Sequence, residues 1–216
     1  MLIINGAEYE HFLGSLLENA GGEREVVEAS TGISLRTDAQ GNPDPHVWLD
    51  PNNVIVYVEN IREALTHFDP QGAEIYQSNA DAYVAKLKSL DTWITEQVNL
   101  IPVENRLLVT NHEAFGYFAQ HYDITVVGTV IESFSTDASP SAQQMAALID
   151  QVKASHAPAI FLDASDNTAL AQQIADETGV RVITDLHLES LTDGAPAGTY
   201  IDMMKYNVTQ IVNALK

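Results

Sequence analysis

Two imidazoles and a carboxylate, His46, His112 and Glu189, are the side chains in this 216-residue sequence whose types and placement suit metal chemistry. Neutral imidazole nitrogen and ionised carboxylate oxygen are the donor forms that a borderline divalent cation such as zinc or manganese takes at neutral pH. Cysteine is absent, which excludes a thiolate site, a disulfide framework and a cysteine nucleophile. Taken singly, each of the three also has an ordinary structural reading. His46 fits the turn before a helix. His112 follows Asn111, a plausible helix cap, and Glu113 suits the positive end of that helix. Glu189 fits a solvated loop. No local His-Glu-x-x-His motif ties them together. Two histidines and a carboxylate with an open position are also the donor set of a metal-dependent hydrolase, with Glu113 as general base, but no substrate-pocket motif accompanies them.

The elements that must carry these residues follow from periodicity. His46 lies in Asp44-Pro45-His46-Val47-Trp48-Leu49-Asp50-Pro51, after a Gly/Asn/Pro-rich loop over 36–45. Asp50 is placed to cap the next helix and Pro51 fits its first turn, so His46 sits on a loop held by a rigid element. Before it, residues 2–4 are β-like, Ala7 to Ala20 form a helix with Phe12, Leu13, Leu16 and Leu17 on one face, and Glu25 to Ala29 form a second strand. From Pro51 the apolar stripe Val54, Val58, Ile61, Leu65, Phe68 marks a helix. A second stripe runs Tyr76, Ala80, Tyr83, Leu87, Leu90, Ile94, Val98, Ile101. A helix of about 30 residues spans roughly 45 Å, long enough to act as a strut between two α/β regions.

After this strut, strand and helix alternate: strands at 107–110, 124–130, 159–162 and 180–184, helices at 114–121, 141–155, 168–178 and 199–215. Short links between them predict a parallel sheet with helices on both faces. Ligands of such sheets bind beyond the carboxyl ends of the strands. His112 and Glu189 both follow strand ends. The remaining histidines, His11, His67, His121 and His156, read as surface residues, while His187 stands close to Glu189 in sequence.

Ten Lys and Arg against 30 Asp and Glu give a net charge of −20. Such a surface repels a phosphate backbone, which argues against nucleic acid as partner, and it concentrates cations. The hydrophobic fraction of 45% supports a full core, yet no apolar run approaches the roughly 20 residues that cross a bilayer. Met1–Ile4 is not a signal peptide, since it lacks a basic region and its apolar run stops at Asn5.

Three motifs carry a resemblance: Asp44-Pro45-His46-Val47-Trp48-Leu49-Asp50-Pro51, Thr110-Asn111-His112-Glu113-Ala114-Phe115-Gly116-Tyr117-Phe118, and Tyr200-Ile201-Asp202-Met203-Met204-Lys205-Tyr206-Asn207. Together they resemble the zinc/manganese substrate-binding proteins of bacterial ABC transporters, the extracytoplasmic metal-binding lipoproteins and periplasmic solute receptors. The resemblance extends to Asn5-Gly6, Glu28-Ala29-Ser30 and Ala159–Asp163. It implies an α/β fold of two parallel-sheet lobes joined by a single long rigid helix, with a divalent ion held in the cleft between them. The expected division is an N-terminal lobe over 1–69, a linking helix over 70–102 and a C-terminal lobe over 103–216.

The resemblance also implies a non-enzymatic receptor that delivers its ion to a membrane permease, located in the periplasm or anchored at the cell surface. Some members of the family have been described as adhesin-like. Of four ligand positions, the second falls on His46, the third on His112 and the fourth on Glu189, where most members have Asp. The first, a His upstream of Asn5-Gly6, has no counterpart. That gap implies an incomplete first lobe in an N-terminally truncated chain, with weaker metal binding than a complete member, unless His11 or His187 substitutes. A complete member is expected to be a monomer. His at the third position leans toward Zn2+ over Mn2+, although the loop over 36–45 lacks the histidines that many zinc members carry there.

Overall fold

A computed structural model describes residues 1–22, 24–135 and 139–216. It divides into two compact units, residues 1–91 and 92–216, each with its own parallel sheet.

In the first unit, β1 (Leu2–Ile4) pairs in parallel with β2 (Val26–Glu28), Leu2 opposite Val26 and Ile4 opposite Glu28. The helix between them, α1 (Leu13–Ala20), is shorter than the sequence predicts. Ala7 and Glu8 take left-handed backbone (φ 53° and 61°), which no right-handed helix accommodates. The Glu10 carboxylate meanwhile accepts hydrogen bonds from the Asn5 and Gly6 N–H groups at 2.6 and 3.1 Å, so residues 7–12 form turns. Phe12 and Leu16 remain well exposed.

The helix α2 (Pro51–Phe68) begins as the sequence predicts. The Asp50 side chain accepts from the Asn52 N–H at 2.8 Å, and Pro51 occupies the first turn. Asn60 on α2 donates to the carbonyls of Ala29 and Thr31, at 2.8 and 2.9 Å, and so fixes the chain after β2.

The long helix α3 (Ala73–Val98) has 26 residues, and the division between the units falls within its sequence. Its stripe Ala80, Leu87, Leu90, Ile94, Val98 is buried, as is Ile101 beyond it. It is shorter than the predicted strut because the chain turns at Asn99–Ile101, and Ile101 precedes Pro102, which disfavours helical backbone there.

The second unit contains β3 (Leu107–Thr110), α4 (Gly116–His121), β4 (Thr125–Thr129), α5 (Ala142–Ser155), β5 (Ala159–Asp163), α6 (Ala169–Thr178), β6 (Arg181–Leu186) and α7 (Tyr200–Leu215). Among the described residues its four strands are all parallel, in the order β4-β3-β5-β6. Strand side chains alternate between faces. Val109, Ile160 and Leu162 pack with Met145, Leu148 and Val152 of α5 and Ala171 and Ile174 of α6. Buried Leu108 and Phe161 alternate with them toward the opposite face, and α7 packs on β5 and β6. A capping box at Ser141 and Gln144 starts α5, and left-handed Gly179 ends α6.

The order of chain connection reverses at β3, because β4 lies on one side of it and β5 on the other. The carboxyl ends of β3 and β5 therefore flank a topological switch point, where open α/β sheets bind ligands. Among the described residues no helix is long and apolar enough to cross a membrane.

Candidate metal centre

In the first unit, His46 is buried, immediately before a single helical turn (Val47–Leu49). Its loop is pinned on both sides. Asn5 Nδ2 donates to the Pro45 carbonyl at 3.1 Å, and Asn53 Nδ2 donates to the Val47 carbonyl at 3.0 Å. Asn5 Oδ1 in turn accepts from the Tyr57 hydroxyl of α2.

Asp44, fully buried, accepts at one oxygen from the His46 backbone N–H (3.0 Å) and meets the ring Nδ1 at 2.9 Å. Arg36 Nε stands 3.7 Å from its other oxygen. A carboxylate against Nδ1 keeps the proton there and leaves the Nε2 lone pair as the donor, the usual arrangement behind a metal-binding histidine. The ring also packs beside Trp48, centroids 5.3 Å apart, and Trp48 meets Tyr9 edge-on at 5.3 Å.

In the second unit, β3 delivers His112 and the loop after β6 delivers Glu189. Buried His112 places Nε2 3.1 Å from Oε1 of Glu189, which is one-third exposed. A tetrahedral zinc with its usual bonds separates a nitrogen and an oxygen ligand by about 3.4 Å. The pair therefore needs a shift of only a few tenths of an ångström to share an ion. Asn111, His112, Asp163, Asp166 and Glu189 help line a cavity of about 260 Å3.

Asn111 does not cap the following helix as the sequence suggests. Its amide donates to Asp166 Oδ1 at 2.7 Å, and α4 starts at Gly116 with no side-chain cap. Burial pushes the Asp166 carboxyl up from the ordinary carboxylate range, against the lowering effect of the Asp163 N–H, nearby His112 and the Asn111 amide. His187 is half-buried with its ring beside Tyr206 (5.5 Å), and His11, His67, His121 and His156 are exposed. Glu113 is half-buried, and its N–H donates to the Ser133 carbonyl at 3.0 Å. The sequence reading assigned no role to Asp44, Asp163, Asp166 or Asn207. Asp163 and Asp166 had a usable signal, since both fall at the carboxyl end of a predicted strand.

Over residues 1–214 the chain matches the family model described as zinc-uptake complex component A, periplasmic. It is 37% identical over 214 residues to the manganese-binding lipoprotein MntA of Halalkalibacterium halodurans, covering 98% of this chain and 70% of that protein. It is 31% identical over 215 residues to the iron-binding protein YfeA of Yersinia pestis, covering 98% and 68%. Against the metal ABC transporter substrate-binding lipoprotein SloC of Streptococcus mutans the identity is 33% over 177 residues, 82% of this chain and 57% of that one.

Among solved structures, the periplasmic zinc-binding protein TroA from Treponema pallidum superposes with a TM-score of 0.90 at 29% identity, covering 99% of this chain and 79% of TroA. A Mn-bound periplasmic metal-binding protein from Candidatus Liberibacter asiaticus gives 0.85 at 26%, covering 99% and 80%.

Proposed function

The chain belongs to the periplasmic zinc-uptake component A family, made up of substrate-binding proteins of metal ABC transporters and not of enzymes, and from that membership we propose that it captures a divalent metal ion outside the cytoplasm and hands it to a membrane permease. The metal is cargo, so affinity and release matter where an enzyme would need turnover.

The proposed ligands are His46, His112 and Glu189. The observation that carries the proposal is the 3.1 Å approach of His112 Nε2 to Glu189 Oε1 at the switch point of the second sheet. A neutral imidazole and a carboxylate at that spacing supply two of the donors a zinc-like ion needs. His46 is the natural third, since Asp44 orients its ring as carboxylates orient metal-binding histidines. The net charge of −20 draws cations toward the protein.

Zinc is the proposed cargo, ahead of manganese. Relatives are named for manganese and for iron, and the named zinc-binding neighbour superposes well. The choice therefore rests on donor chemistry: two imidazoles and one carboxylate suit zinc, while manganese prefers oxygen. The test is calorimetric titration of the chain with Zn2+ and with Mn2+, repeated on His112→Glu. The substitution should narrow the ratio of the two affinities at least 10-fold, and an unchanged ratio would remove the argument for zinc.

A further inference from the structure

A carboxylate on a loop is a poor ligand unless something holds the loop, because ordering it on binding costs conformational entropy. The loop that carries Glu189 begins where β6 ends, at Leu186, beyond the last strand pairing of Asp163 with Leu186. Its next two residues are held by side chains from other elements.

Asn207 lies on α7 and is buried. Its Oδ1 accepts from the His187 N–H at 2.8 Å, and its Nδ2 donates to the His187 carbonyl at 2.6 Å. A helix gains little from a buried asparagine, and here the amide's donor and its acceptor are both directed at one loop residue. Asp163, the last residue of β5, is buried as well, and its Oδ2 accepts from the Leu188 N–H at 2.5 Å. Its Oδ1 accepts from Ser165 N and Oγ, at 2.9 and 2.7 Å. The Asp163 N–H donates to Asp166 Oδ2 at 2.8 Å, and Asp166 Oδ1 accepts from Asn111, the neighbour of His112. The ends of β3, β5 and β6 are thus braced to one another by the buried Asn111 and Asp163 and the half-buried Asp166.

We infer that Asn207 and Asp163 are positioning residues: they fix the His187–Glu189 turn so that the Glu189 carboxylate meets His112 before an ion arrives. The inference rests on the proposed assignment of His112 and Glu189 as ligands, and it adds the device that preorganises them. Preorganisation of this kind raises affinity by removing the ordering cost from the binding step.

The test is a titration of the whole chain with cobalt(II) chloride, read by affinity and by the visible ligand-field bands, in a double-substitution cycle. Asn207→Leu and Asp163→Asn should each lower Co2+ affinity by about 10- to 100-fold, the usual range for groups that support a ligand, and weaken the bands. In a Glu189→Ala background, Asn207→Leu should change affinity by less than about 2-fold, because a residue that acts only through Glu189 has nothing left to position. Asp163→Asn in the same background gives the second arm should Asn207→Leu fold poorly. An equal loss in both backgrounds would overturn the inference and leave the ligand assignment standing. Unchanged Co2+ binding in Glu189→Ala alone would overturn the ligand assignment and the inference with it.

Discussion

His112 Nε2 and Glu189 Oε1 stand 3.1 Å apart although they arrive on different strands, β3 and β6, which are not neighbours in the sheet. β5 lies between them, and its terminal Asp163 anchors the Leu188 N–H. The pair is therefore a product of sheet order and of the side chains that close the strand ends.

Shortening the carboxylate tests that geometry. Glu189→Asp removes one methylene and withdraws the oxygen from His112, while Glu189→Gln keeps the length and removes the charge. Both should lower Zn2+ affinity in calorimetry, and Glu189→Gln by at least 10-fold, since an ionised oxygen donor is lost. Equal affinity in Glu189→Gln and the unaltered chain would show that the carboxylate is not a ligand.

Asp44 and Asp50 lie within one motif and should separate cleanly. Asp44→Asn weakens the hold on His46 Nδ1 and should reduce metal affinity by about 10- to 100-fold. Asp50→Ala removes the cap of α2 and should cost about 1 kcal/mol of stability in urea unfolding, with metal affinity little changed. The opposite pattern would contradict the roles given to both.

Much of this arrangement is local in origin, and that part was legible in the sequence. The Asp50-Pro51 start of α2, the buried stripe of α3 and the strand at Leu107–Thr110 all follow from caps and apolar periodicity, which depend on neighbours a few residues away. Where a distant or reciprocal side chain competes, the local signal fails. Glu10 captures the backbone N–H groups of Asn5 and Gly6, and the predicted helix over 7–20 loses its first half. Asn111 has the chemistry of a cap but is taken by Asp166. Glu189 is marked in the sequence only by following a predicted strand end, and the family resemblance alone matches it to a ligand position. Its supports, Asp163 and Asn207, belong to β5 and α7, and no local pattern links them to it.

Asp166 gives a pH dependence of unusual sign. Burial raises its folded-state pKa above the ordinary value of 3.8, so the folded chain holds this proton more tightly than the unfolded chain does. Its contribution to stability is fully present below 3.8 and is lost as pH rises through the raised value. The stability of the chain relative to Asp166→Asn should therefore shift in favour of the unsubstituted chain as pH falls from neutral toward 3.8. Urea midpoints of both proteins across that range check it. A shift the other way would mean that the hydrogen bonds from Asn111 and the Asp163 N–H outweigh burial.

Metal content of the purified chain, measured by mass spectrometry and set against His46→Ala, His112→Ala and Glu189→Ala, tests the central claim most directly. The account predicts a bound divalent ion in the unsubstituted chain and a clear loss in each of the three variants, all still folded by circular dichroism. Retention of the full metal content in His46→Ala and His112→Ala would contradict it.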